Sequence, residues 1–316
     1  MASHVAAAPD DEILFAIGDV HGRADLLETM IAEIGRESGG GKRTTAIFLG
    51  DYIDRGPAAR QVIDRLIGLA DETRFETVFL RGNHEQFLLD LIDGETDVTS
   101  WLEYGGVETL ASYGVAVGAA EAADPSRLGA ALCAALPESH IAFLRETQLT
   151  AERGDYVFVH AGLRPDKLLE EQSETDLLWF RYYSDEAPLH GKVSVHGHTP
   201  RARPVNGRWR IGVDTEAWAS GALTAVRLDA ETRRFLRAGA DGAVVEWDRV
   251  DPPHDRPEVS ARRDKRERRA HSNQLERRYP IMIGALAVTL LLCALAGIAW
   301  RASAPPDSPP AAGAAR

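Results

Sequence analysis

Sulfur is scarce in this chain, with two cysteines and three methionines among 316 residues. Cys293 lies in an apolar tail segment, far from Cys133 in sequence, so no structural disulfide is expected and a reducing compartment fits. The opening residues, MASHVAAAPDDE, offer neither a basic start nor an apolar run, so no secretory signal is expected. Positive charge is scarce over most of the length. The formal net charge is −12, yet residues 256–316 hold eleven Lys/Arg against five Asp/Glu, which leaves −18 on residues 1–255. So acidic a body argues against nucleic acid as a partner, because phosphate backbones select basic surfaces. Part of that charge would face bound cations. A phosphate loop is missing as well: Gly41-Lys42 is followed by Arg43, where Ser or Thr is needed, and leads into a strand pattern rather than a helix.

What is present is a repeated build. FAIGDVHG (Phe15 to Gly22), IFLGDYIDRG (Ile47 to Gly56) and VFLRGNHE (Val78 to Glu85) each run from β-branched and aromatic residues into a glycine and then acidic or imidazole side chains. Such runs read as buried strands, and the polar groups then stand at carboxyl ends, where open α/β sheets place ligands. Two partner stretches come later, VFVHAG (Val157 to Gly162) and VSVHGHTP (Val193 to Pro200). Helical spacing of Leu26, Leu27, Met30, Ile31 and Ile34, and of Val62, Ile63, Leu66 and Ile67, puts helices between the first three strands, an α/β layering. The five polar segments are expected at five neighbouring strand ends.

The remainder divides by composition. Residues 1–11 read as a flexible leader, 12–250 as the catalytic body, and 95–150 as a helical insertion over the site. The insertion's His140 reads as an exposed helix histidine. A hairpin is expected between Arg208 to Val213 and Ala222 to Leu228, with further strands at Arg234 to Arg237 and Val244 to Trp247. Residues 251–279 form a basic linker. Residues 280–301 read as a transmembrane helix, because Ile281 to Trp300 is twenty residues without a charge, enough to cross about 30 Å of hydrocarbon. Nine Lys/Arg precede it between Arg256 and Arg278, which orients the body to the cytoplasm, the residue 302–316 tail outside, and the basic run towards anionic lipid. The expected location is the cell membrane, single-pass.

Carboxylate oxygens and imidazole nitrogens are donors for hard or borderline divalent ions. Asp19 and His21, two apart, can point to one side of an extended segment. Asp51 can bridge two cations, and Asn83, His160 and His198 offer neutral donors. A paired site lowers the pKa of a shared water and polarises a phosphoryl oxygen. His84 is the candidate proton donor to an alkoxide leaving group, oriented by Asp54, with Arg55 and Arg81 placed to meet phosphate oxygens.

GDVHG, GDYIDRG, GNHE, VHAG and GHTP, in this order over roughly Phe15 to Leu228, resemble the signature of the phosphoprotein phosphatase family of calcineurin-like metallophosphoesterases, in its bacterial type. The resemblance implies a layered β-sandwich flanked by helices and two metal ions, manganese by expectation, with iron and zinc equally compatible. It implies Asp19, His21 and Asp51 at the first metal and Asp51, Asn83, His160 and His198 at the second. Asp54 and His84 match the orienting acid and proton donor. Arg55, Arg81 and, in DLLWFR, Arg181 match phosphate binders. Within HGHT it selects His198 as the ligand and leaves His196 as a supporting residue. The implied activity is a membrane-anchored protein serine/threonine phosphatase acting on a phosphoprotein. Two alternatives stay open: a symmetrical dinucleoside tetraphosphatase or other nucleotide phosphohydrolase, and an inactive membrane-bound adaptor.

Overall fold

A computed structural model describes residues 5–253, apart from residues 73, 96–97, 117–124 and 183. Strands β1 (Glu12–Ile17), β2 (Arg43–Phe48) and β3 (Glu76–Phe79) run parallel, joined through helices α1 (Ala24–Glu37) and α2 (Ala59–Ala70). Parallel neighbours need a crossover of this kind, which the helical spacing had indicated. Helix α3 (Asn83–Ile92) follows β3 directly. The insertion contains α4 (Val98–Trp101), a π-helical turn at Leu102–Gly106, α5 (Val107–Ser112), α6 (Pro125–Ala135) and α7 (Glu138–Glu146). Then come β4 (Thr150–Arg153), β5 (Tyr156–Val159), α8 (Glu174–Trp179), β6 (Val193–His196), β7 (Val205–Asn206), β8 (Arg210–Gly212), α9 (Ala217–Ser220), β9 (Ala222–Asp229), β10 (Thr232–Gly239) and β11 (Val244–Glu246).

Two sheets result, ordered β11-β10-β9-β1-β2-β3 and β4-β5-β6-β8-β7. The alternation of β1 explains why they pack. Leu14 and Ala16 join Phe158, Val195, Ile211 and Val226 in a core between the sheets, while Ile13, Phe15 and Ile17 join the apolar faces of α1 and α2. Both faces of the strand are buried, so it reads as an unbroken apolar run. Each large aliphatic side chain so enclosed contributes about 1.5–3 kcal/mol.

Four expectations change. The five polar segments end strands of two sheets, three in the first and two in the second, rather than one row. The expected hairpin does not form: β8 pairs with β6 and β7, whereas β9 pairs with β1 and β10. The short turn of α9 carries the chain from one sheet to the other, which a pattern of two adjacent strands cannot reveal. From Val5 onwards the leader is docked rather than frayed. Ala6 and Ala8 lie in the inter-sheet core, the Tyr156 hydroxyl donates to the Ala6 carbonyl at 3.0 Å, and the Ala7 amide donates to the Asp155 carboxylate at 3.0 Å. His140 is buried, 2% exposed, in contact with the Tyr113 hydroxyl at 2.8 Å and the Asp64 carboxylate at 2.9 Å. At the other end the body continues to Asp251, which bridges to Val205. No helix of the described residues is long and apolar enough to cross a membrane; the span expected at 280–301 lies outside them.

Candidate metal centre

The GD-x-x-D loop after β2 is shaped by one carboxylate. Glu85, in the first turn of α3, accepts the amides of Asp51 at 2.7 Å, Tyr52 at 2.8 Å, Ile53 at 3.3 Å and Gly82 at 2.9 Å. This also satisfies a free donor at the helix start. Close approach between loops demands glycine: a Cβ on Gly82 would strike the Asp51 carboxylate, and one on Gly197 would strike Asp19. His21, Asp51, Asp54, Arg55 and His198 all have left-handed backbone, φ between 43° and 69°. A side chain held there costs about 1–3 kcal/mol, and such residues gather at functional sites.

Two groups of ligand atoms, His21–Asp51–His84 and Asp51–His160–His198, each lie within 4.8 Å and share Asp51. The tautomers of two rings are fixed from behind. His21 Nδ1 donates to the Ile53 carbonyl at 2.8 Å and His160 Nδ1 to the Leu49 carbonyl at 2.9 Å, so each presents its Nε2 lone pair forwards. His21 Nε2 then lies 3.4 Å from Asp51 Oδ2, and His160 Nε2 lies 3.4 Å from Asp51 Oδ1 and 2.9 Å from Asn83 Oδ1. Asn83 Oδ1 also contacts His198 Nδ1 at 2.8 Å. Acceptor facing acceptor without a proton between is what a cation resolves, so this donor set fits divalent metal.

The electrostatics agree. Burial pushes the His21, His160 and His198 pKa values down, which keeps the rings neutral as ligands must be. Asp51 is held well below the carboxylate range: burial opposes this, but the surrounding imidazoles outweigh it. Asp19 is pushed well up by burial and by the charges of Asp214 and Asp51; its carboxylate accepts the His198 amide at 3.1 Å, beside the close groups rather than within them. His196 stands apart. Its Nδ1 contacts the Gly197 carbonyl at 2.9 Å, its ring lies 4.8 Å from Tyr182, and burial and then Arg210 push its pKa down to about 3.

The His84–Asp54 pair is present and fully enclosed. His84 Nδ1 donates to Asp54 Oδ2 at 2.7 Å. Burial alone would lower the His84 pKa, but the Asp51 charge and the Asp54 hydrogen bond raise it. Arg55 directs one nitrogen to His21 Nε2 at 3.0 Å and another to His84 Nε2 at 3.2 Å. Arg181 is half-buried and close enough to His198 to help lower its pKa. Arg81 differs from expectation. Its guanidinium is taken up by Thr147 Oγ1 at 3.1 Å, Gln86 Oε1 at 2.9 Å and the carbonyls of Arg145 and Thr147, tying the end of the insertion to α3.

Residues 14–220 match the calcineurin-like phosphoesterase family. The chain belongs to that family. Membership places it among the calcineurin-like phosphoesterases, a family that uses divalent metals. A symmetrical bis(5'-nucleosyl)-tetraphosphatase of Nitrosomonas europaea is 28% identical over 203 residues, 62% of this chain and 63% of that protein. This calcineurin-like phosphoesterase thus aligns with a little under two thirds of that relative's length. An asymmetrical bis(5'-nucleosyl)-tetraphosphatase of Bacillus velezensis is 26% identical over 216 residues, 67% of this chain and 77% of that one. Among solved structures, a cold-active protein-tyrosine phosphatase of a psychrophilic Shewanella superposes with a TM-score of 0.50 at 17% identity, covering 78% of this chain and 85% of that one, a likeness of fold.

Sequence reasoning missed four side chains of this phosphoesterase site. Glu85 lay inside the quoted GNHE motif without a role. Asp214 is buried beside Asp19, its carboxyl pushed up to about 6 by burial and by Asp51; it ends RIGVD, the same strand-then-acid build as the recognised motifs. Trp101 Nε1 donates to Asp54 Oδ2 at 3.0 Å, and Thr109 donates to Asp54 Oδ1 at 2.7 Å while accepting the Asp54 amide at 2.9 Å. Those last two come from the insertion, where no pattern marked them.

Proposed function

We propose that this chain is a two-metal phosphohydrolase with Asp51 as the shared ligand and His84 as the proton donor. The convergence of the Asp51 carboxylate with the fixed Nε2 atoms of His21 and His160 carries the reading. Asp19 and His21 complete one metal position, and Asn83, His160 and His198 the other. Divalent ions held there, manganese by family expectation with iron or zinc suited to the same donors, would supply an activated water and neutralise phosphoryl charge. Arg55 and Arg181 bind phosphate oxygens, which sets the leaving oxygen within reach of His84 Nε2. Asp54 keeps Nδ1 protonated, so that Nε2 gives up its proton and the Asp54 charge stabilises the ring beforehand.

For the substrate, the motif order supports a phosphoserine or phosphothreonine protein. A second reading, dinucleoside polyphosphate, is favoured by the names of both relatives and by exposed aromatic rings beside the site. The assay that separates them offers the manganese-loaded protein a phosphoserine peptide, a phosphotyrosine peptide and diadenosine tetraphosphate. Faster release from peptide supports the first reading, faster dinucleotide cleavage the second, and no turnover of any removes both. We propose further that residues 280–301 anchor the chain in the cell membrane with its catalytic body cytoplasmic. Deleting residues 280–316 then releases it to the soluble fraction; a truncated chain that still sediments with membranes refutes the anchor.

A further inference from the structure

Among the described residues, three aromatic side chains are more than about a third exposed: Tyr104 at 39%, Trp179 at 39% and Trp218 at 40%. Singly, such residues are ordinary surface, but here all three border one site. The Tyr104 ring lies 6.3 Å from His84, the Trp179 ring 6.1 Å from His198, and the Arg55 guanidinium 5.9 Å from the Trp218 ring. Tyr104 and Trp179 adjoin one another, centroids 6.3 Å apart and planes at 74°. Two rings at that angle form a corner: a planar ligand can lie flat on one while its edge meets the face of the other. Arg181, two residues beyond Trp179, is half-buried with no hydrogen bond or ion pair among the described residues. Tyr104 itself sits in the π-helical turn whose Gly105 carbonyl accepts the Arg55 amide at 2.9 Å, so the corner is fastened to the phosphate-binding loop.

We propose that Tyr104 and Trp179 form a base-binding corner that takes a nucleobase of a nucleoside polyphosphate, with the phosphates reaching inwards past Arg181 to Arg55. This rests on the phosphohydrolase reading and names a substrate class for it. Aromatic rings accept any base by its π-face, so the corner selects for a nucleotide without selecting among bases. Phosphoserine and phosphothreonine carry no ring to place there. Phosphotyrosine does carry a ring, so the test includes a phosphotyrosine peptide.

The test uses the full chain loaded with manganese, as wild type, Trp179→Ala, Trp179→Phe and Tyr104→Ala. For diadenosine tetraphosphate, kcat/KM is expected to fall about ten- to a hundredfold in each alanine variant, carried by KM, and to recover within about threefold in Trp179→Phe. Hydrolysis of a phosphoserine peptide should change by less than about twofold. Equal losses on both substrates, without rescue by phenylalanine, would make the rings structural and overturn the proposal. A loss confined to a phosphotyrosine peptide would overturn it in favour of a phenol. Quenching of tryptophan fluorescence by a non-hydrolysable diadenosine tetraphosphate analogue, read on His84→Asn protein, separates the corner from the chemistry. Quenching that disappears on adding Trp179→Phe supports the corner even if no substrate turns over, and absent quenching sinks it.

Discussion

Two regions hold the His84–Asp54 pair, and they differ in almost everything except that task. The strand-end loops supply His84 itself, Asp51 beneath it and Glu85 as the organiser of the backbone, all from short motifs with glycine at each close approach. The insertion supplies Trp101 and Thr109, two donors to Asp54 separated by a π-helical turn, from a helical stretch with no ligand motif of its own. The loops fix where the ligand atoms stand, whereas Trp101 and Thr109 of the insertion fix the orientation of the carboxylate that holds the proton donor. A site of this kind is therefore assembled from one part that places the ligands and another that orients the acid behind the proton donor.

The difference can be broken most forcefully at His84. His84→Asn is expected to lose about a hundred- to ten-thousandfold in kcat on an alkoxide-leaving substrate while retaining its metal, measured by elemental analysis beside steady-state kinetics. With a p-nitrophenolate leaving group, which departs without a proton, the loss should be much smaller. Equal losses on both substrates would move His84 from proton donor to metal ligand, a role its nearness to His21 and Asp51 also permits.

Asp54→Asn comes next and reads the charge rather than the position. The raised His84 pKa keeps the ring protonated to higher pH, so activity falls as pH climbs through that value. Without the Asp54 charge the pKa drops, and the alkaline limb of the kcat profile should shift to lower pH. A limb that stays where it was would leave Asp54 with a structural part only.

Trp101→Phe tests whether the insertion acts on the chemistry. It removes one donor to Asp54 and keeps a ring in the buried slot, so kcat should fall about five- to thirtyfold, the kinetic equivalent of about 1–2 kcal/mol. An unchanged kcat would reduce the insertion to a cover. The smallest effect is expected at Tyr113→Phe, which removes one of the two partners of His140 where α5, α2 and α7 meet. Urea unfolding should show a loss of about 1–2 kcal/mol with kcat preserved. A matching loss of kcat would show the insertion to be a moving part of catalysis.

What the sequence made legible follows the same division. Asp51, His160 and His198 were readable because each stands at the end of a short apolar strand pattern near a glycine, so local order and spatial order coincide. Asp214 also follows a strand, in RIGVD, but no motif marked it. Trp101 and Thr109 were not readable at all, since their meaning lies in a contact with Asp54 more than forty residues away. For Arg81, adjacency to a motif carried no sign that its guanidinium meets Gln86 and Thr147 in this structure. The β8–β9 hairpin failed for a related reason, because adjacent strands in sequence were drawn into different sheets by the apolar faces they had to cover.

Everything in this account depends on Asp51 sitting between two cations. The direct measurement is the manganese content per chain after dialysis, compared between wild type and Asp51→Asn at matched folding by circular dichroism. Two equivalents in the wild type and a loss of at least one in the variant are the predicted result. Equal metal content in both proteins, or none in a folded and manganese-saturated wild type, would contradict it.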